Sequence, residues 1–185
     1  MKGIVFTAFI EMVEQKFSLK TLDTIITNAQ LPSGGSYTTL GTYDHSEMIQ
    51  LVVMLSEQSG IPVADLVKVF GEYLFVQLVE MYPQFVDTNR TLFEFLLKID
   101  SYIHVEVLKL YPDAELPGFE YETSGPDVLV MIYRSSRPFA DLAEGLILGS
   151  IRHYGEAVDI QREDLSNGPV NTARFTLTKR GGYHG

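Results

Sequence analysis

The chain has 185 residues, enough for one domain with a substantial core. Hydrophobic residues make up 45% and charged residues 21%, a globular balance rather than a disordered one. The formal net charge is -10 and cysteine is absent, which argues against a broad nucleic-acid footprint and excludes a disulfide framework, thiolate zinc sites and iron–sulfur clusters.

At the N-terminus, Ile4, Val5, Ala8, Phe9, Met12 and Val13 recur at helical spacing and predict a helix over 2–17. Glu11 and Glu14 follow the first apolar run at once, and no small-residue cleavage site appears. The segment therefore reads as an amphipathic helix rather than a signal peptide. No apolar run reaches the ~18 residues of a membrane span, and a cytoplasmic location is expected. Ser18 can cap a second helix to about residue 29, and residues 31–36 read as a loop. Asp44 with Glu47 makes a capping-box-like start for a helix over 45–59, which Gly60 ends. Pro62 suits the first turn of a helix to about Met81, and Pro83 breaks it. A long helix is predicted over 89–111, stopping at Pro112.

The texture changes after Pro117. Residues 119–123 alternate, 124–127 turn, and Val128 to Tyr133 reads as a buried strand. Helix returns over 138–153, with small residues Ala140, Ala143, Gly145 and Gly149 along it. Strands follow at about 155–163 and 171–179, joined through a turn at 166–169. The expected fold class is α+β: an all-helical N-terminal half, then an antiparallel sheet with helices on one side. The tail 181–185 is predicted to be disordered.

Two stretches point to chemistry. Tyr133-Arg134-Ser135-Ser136-Arg137 holds two cations and three hydroxyls with no acid, a composition suited to an anion. The second is a histidine. His45 sits in a first helical turn, His153 near a helix C-terminus and His184 in the tail, all with ordinary readings. His104 instead shares its helical face with Leu97, Asp100, Ser101, Val107, Leu108 and Tyr111, a largely apolar set. It is either a core imidazole with one hydrogen bond or a metal ligand. No His-x-x-x-His pair or His-Glu-x-x-His motif is present, which disfavours a site made of protein ligands alone. A b-type haem needs only one axial histidine and carries two anionic propionates, so it would account for both stretches.

The chain opens Met1-Lys2-Gly3; His104 lies in the run Ile103 to Pro112; Pro117 comes thirteen residues after His104; and Tyr133, Ser135 and Arg137 form Tyr-x-Ser-x-Arg. In these motifs and their spacing the chain resembles, over about residues 1–180, the H-NOX family. These are the haem–nitric oxide/oxygen binding domains related to the haem domain of soluble guanylate cyclase, here of the stand-alone bacterial type. The resemblance implies a single haem domain over 1–180. A helical subdomain would run to about residue 65, and a haem-anchoring subdomain with a four-stranded antiparallel sheet from about 66. A ferrous haem b would lie buried between them. It further implies His104 as the axial ligand, Tyr133, Ser135 and Arg137 on the propionates, and Pro117 against the proximal porphyrin face. Arg134 points to the other side of its strand and is left out.

Oxygen-binding members carry a distal tyrosine where this chain has Leu142, and two assisting positions fall on Phe9 and Leu74. With Val5 and Leu146 these make a dry distal pocket. The departure implies binding of nitric oxide and carbon monoxide with oxygen excluded, because nitric oxide needs no hydrogen-bond donor; Tyr73, turned into the pocket, would weaken this. The implied function is sensing rather than catalysis. Nitric oxide would loosen the bond to His104, and the resulting change would pass to a histidine kinase or a cyclic-di-GMP cyclase or phosphodiesterase. Two alternatives stand beside it. A haem enzyme such as a peroxidase would want a polar distal acid/base pair, and a haem-free protein-interaction domain would have no need of His104, Tyr133, Ser135 and Arg137.

Overall fold

The structure is a computed structural model and describes residues 1–87 and 90–181. The N-terminal part is helical: α1 (Gly3–Lys16), α2 (Leu19–Asn28), α3 (His45–Ser59) and α4 (Val63–Met81). Ser18 caps α2, its Oγ accepting from the Thr21 N–H at 3.0 Å, and Asp44 caps α3 through the Ser46 N–H at 2.8 Å. The return arm of the expected capping box does not form. Glu47 turns inward instead, accepting from the Tyr37 hydroxyl at 2.9 Å and from Ser33 Oγ, and so ties the preceding loop to α3. Phe6, Phe9, Met12 and Val13 of α1 meet Leu51 and Leu55 of α3 and Leu66 and Phe70 of α4 in a first core.

The long helix predicted over 89–111 is not continuous. A short α5 (Gln84–Asp87) precedes it, and three pieces replace it: α6 (Leu92–Leu96), a π-helical turn (Ile99–Ile103) and α7 (His104–Leu110). Residue 89 lies outside the described residues. Thr91 starts α6 by accepting from the Glu94 N–H at 3.3 Å. The ladder then slips by one residue: the Ile103 N–H reaches the Lys98 carbonyl at 3.1 Å, and the His104 N–H reaches that of Ile99. The slip ends immediately at His104.

Beyond Pro117 come β1 (Gly118–Thr123), β2 (Val128–Ser135), α8 (Ala140–Tyr154), β3 (Val158–Asp164) and β4 (Asn171–Lys179), in an antiparallel sheet of order β1-β2-β4-β3. The fold class is α+β, as expected, and β4 has the predicted bounds. β3 starts at Val158 rather than 155 because Gly155 closes α8 in the left-handed conformation, φ 64°. Tyr133 stands opposite Phe119 and Ala173, and Met131 opposite Tyr121 and Phe175. Two-residue periodicity puts them on one face, where they pack with Phe75, Ala143 and Ile147 in a second core. α4 and α8 cross where only glycine fits: a Cβ on Gly145 would stand 2.2 Å from the Lys68 carbonyl oxygen, and one on Gly71 2.6 Å from that of Leu142. Among the described residues no helix is long and apolar enough to cross a membrane. From residue 182 onward the predicted tail lies outside the described residues.

Candidate functional site

A cavity of about 340 Å³ opens between the two cores, within the range of ~300–1,000 Å³ usual for cofactor pockets. Val5 of α1, Leu74 of α4, and Leu142 and Leu146 of α8 line it. So do His104, Pro117, Tyr133, Ser135 and Arg137. Phe9 does not. It is fully buried in the first core, edge-on to Phe70 with ring centres 5.2 Å apart.

His104 follows directly from the π-helical turn. Burial holds its pKa below the ordinary 6.5, with Asp100 opposing, so the ring is neutral near pH 7. Its Nδ1 stands 2.9 Å from Asp100 Oδ1, which assigns the proton to Nδ1 and leaves Nε2 with a free lone pair. Asp100 Oδ1 is buried and has no donor in line with it; the second oxygen, Oδ2, accepts from the Phe119 N–H at 2.7 Å. Among the described residues no group of three or more His, Asp or Glu is placed to hold a bare metal ion. A metal bound at His104 therefore needs ligands from elsewhere, which a porphyrin supplies.

Tyr133, Ser135 and Arg137 converge at the end of β2. Tyr133 is 2% exposed, and burial raises its pKa, so its hydroxyl keeps its proton as a donor. That hydroxyl makes a long 3.5 Å contact to the Arg137 carbonyl and lies within reach of the Ser135 side chain and the Phe139 backbone. Ser135 Oγ accepts from the Arg137 N–H at 3.1 Å. The Arg137 guanidinium meets Glu115 at 2.7 Å and keeps further donors for a second acceptor. Arg134, as strand alternation requires, lies apart from the cavity and pairs with Glu120 at 3.0 Å.

Two more cationic groups line the cavity. The N-terminal amine of Met1 donates to the Tyr43 carbonyl at 2.7 Å; its pKa is lowered, first by burial and then by the nearby Arg137. Lys2 holds Asp113 at 2.9 Å and Thr42 at 2.6 Å, with its ammonium 5.4 Å from the centre of the Tyr111 ring. Tyr82 and Tyr111 also line the space and bond each other's hydroxyls at 2.9 Å, a bond that is the largest cause of a Tyr82 pKa of about 12. Tyr73 does not line it, and its buried hydroxyl lies towards Glu11 and Gln15 on α1. Apolar walls, one neutral imidazole, and hydroxyl and guanidinium donors at one end form a donor set that fits a haem with its propionates.

The family model described as Haem-NO-binding matches residues 2–162. The structure matches that of the Fe(II) unliganded H-NOX protein from K. algicida with a TM-score of 0.92 at 38% identity, over 100% of each chain. The solution structure of the IWP-051-bound H-NOX from Shewanella woodyi, in the Fe(II)CO ligation state, gives 0.84 at 43% identity, over 100% of this chain and 97% of that one. An H-NOX protein from S. oneidensis in the Fe(II)NO ligation state, 24% identical, shares the fold with a TM-score of 0.89 over 98% of this chain and 100% of that one. No curated protein matches the chain. A match of this length, with relatives this similar from end to end, makes the chain a member of the Haem-NO-binding, or H-NOX, family, haem-based gas sensors that signal to partners rather than enzymes.

Proposed function

We propose that this protein senses nitric oxide, and binds carbon monoxide, at a ferrous haem b held by His104, and that it excludes oxygen. The observation that carries the reading is the make-up of the cavity. A neutral imidazole with a free Nε2 lines the same space as Val5, Leu74, Leu142 and Leu146, which offer no hydrogen-bond donor from their side chains.

Bound, a ferrous haem supplies an open coordination position for a diatomic gas. His104 Nε2 would hold the iron, and Pro117 would pack against the porphyrin. Tyr133, Ser135 and Arg137 would hold the propionates through charge-assisted bonds worth roughly 1.5–3 kcal/mol each. Arg137 would share its donors between a propionate and Glu115, which it meets at 2.7 Å. Val5, Leu74, Leu142 and Leu146 keep water and donors from the gas, and Phe9 backs this wall from within the core. Nitric oxide binds without a donor, whereas oxygen, which becomes partly anionic, profits from one.

Nitric oxide bound at the haem would weaken the hold of His104, and α7, which carries His104, would then be free to move. The proposed division near residue 65 falls at the start of α4, which gives Leu66, Phe70 and Leu74 to the first core and Phe75 to the second. A partner must tell the two arrangements apart, because a ligand shifts an equilibrium only through differential affinity. A histidine kinase or a cyclic-di-GMP cyclase or phosphodiesterase is the proposed partner. The lack of cysteine accords with a reducing compartment such as the cytoplasm.

His104→Gly tests the reading. The ferrous protein should lose its axial ligand and retain haem poorly, and free imidazole should restore both. Ferrous spectra identical to those of the unaltered protein would remove His104 from the iron.

A further inference from the structure

We infer that Asp100 is a positioning residue for the iron ligand: its carboxylate orients the His104 ring, strengthens it as a donor, and ties it to the start of β1. The inference rests on the reading of His104 as the axial ligand.

Three observations meet at this side chain. Oδ1 stands 2.9 Å from His104 Nδ1. Oδ2 accepts from the Phe119 N–H at 2.7 Å, two residues beyond Pro117. Oδ1 is also buried without a donor in line, although the imidazole N–H lies beside it. A buried carboxylate oxygen with unused acceptor capacity is costly, and a modest turn of the ring about its own bonds relieves it. The buried Tyr121 hydroxyl is close enough to feel the Asp100 charge.

Asp100 lies within the π-helical turn, and His104 follows it directly. Asp100 and His104 are four residues apart. In an α-helix of 3.6 residues per turn that separation overshoots a full turn by about 40°. Side chains four apart are neighbours on a helix in any case, and across the wider turn at Ile99–Ile103 the carboxylate and imidazole still stand 2.9 Å apart. An irregular turn thus stands immediately before the ligand, and π-bulges are frequent at functional sites.

A histidine that shares its outer N–H with a carboxylate is a more basic ligand at its inner nitrogen, with a fixed ring plane. Asp100 thereby sets how firmly His104 holds the iron and how readily nitric oxide dislodges it. Because Oδ2 is anchored at Phe119, departure of the ring is felt at β1 as well as along α7.

Asp100→Asn tests this in the ferrous, haem-loaded protein. The amide oxygen can still accept from Phe119, but its nitrogen, a donor, then faces Nδ1. The Fe–His stretching band in resonance Raman spectra should move to lower wavenumber, and the ferric/ferrous midpoint potential should rise. Haem loss should quicken by about tenfold or more. Asp100→Ser, which also removes the charge, gives a second measurement should the asparagine variant fold poorly. If Asp100 serves only to hold the Phe119 N–H, both variants will leave the band and the potential in place and alter thermal stability alone, and the inference falls. An unaltered protein that binds haem but shows no Fe–His band overturns the His104 reading and this inference with it. A band present but unmoved overturns this inference only.

Discussion

Gly145→Ala tests the close crossing of α4 and α8, the helices that bring Leu74, Leu142 and Leu146 to the cavity. The added Cβ would stand 2.2 Å from the Lys68 carbonyl oxygen and 2.8 Å from Gly71 Cα. Carbon–oxygen contacts normally begin near 3.3 Å, so α4 and α8 must part by about 1 Å at this point. Overpacking of this kind costs about 1–3 kcal/mol. Alanine returns about 1 kcal/mol through its better helix propensity. The variant should thus be less stable by up to about 2 kcal/mol, and at this chain length each kcal/mol moves Tm by about 2–4 °C. Thermal unfolding of the haem-loaded protein, followed by circular dichroism, should show Tm falling by up to about 8 °C. Gly71→Ala should behave alike, and the double variant should cost less than the sum, because one separation relieves both clashes. A rise in Tm of a few degrees would mean that the helices are not in contact as described and that only propensity was felt.

Leu142→Tyr places a hydroxyl on the cavity wall beside Leu74 and Leu146. It should raise oxygen affinity, seen as a lasting spectral change of the ferrous protein in air; a variant that still ignores oxygen would mean that Leu142 does not face the gas. Asp113 supports a clasp between the N-terminus and the segment after α7. Its pKa is depressed to about 2, first by Thr42 and then by Lys2. A depressed carboxylate stabilises the fold above its ordinary 3.8 and loses that contribution as pH falls through about 2. The Tm difference between the unaltered protein and Asp113→Asn should therefore hold steady above about pH 5 and close below about pH 4, and a difference that grows on acidification would reverse the sign.

The sequence was most legible where local signals agree with packing. Ser18, Asp44 and Gly60 mark helix ends by capping and by left-handed conformation, and they act as read. The π-helical turn was not legible. Residues 92–110 contain neither glycine nor proline, and their apolar spacing fits one helix as well as three pieces. One available signal went unused: Thr91 with Glu94 is a capping pair that marks a helix start inside the predicted span. Asp100 stands four residues before His104, but spacing alone does not show that its carboxylate comes within 2.9 Å of the imidazole. Met1 and Lys2 reach the cavity only through tertiary contacts, a pairing of Lys2 with Thr42 and a 2.8 Å bond from the Gly3 N–H to the Gly41 carbonyl. Phe9 shares a helical face with Val5 but lies one turn further into the bundle, where the first core closes over it.

The most direct test of the account is an absorption spectrum of the purified protein, taken ferrous and without air, then with nitric oxide, and separately in air. The account predicts a high-spin ferrous haem band that nitric oxide shifts and oxygen leaves unchanged. A stable oxygen complex would contradict the claim of exclusion at Leu142, and the absence of any haem band after reconstitution would contradict the account as a whole.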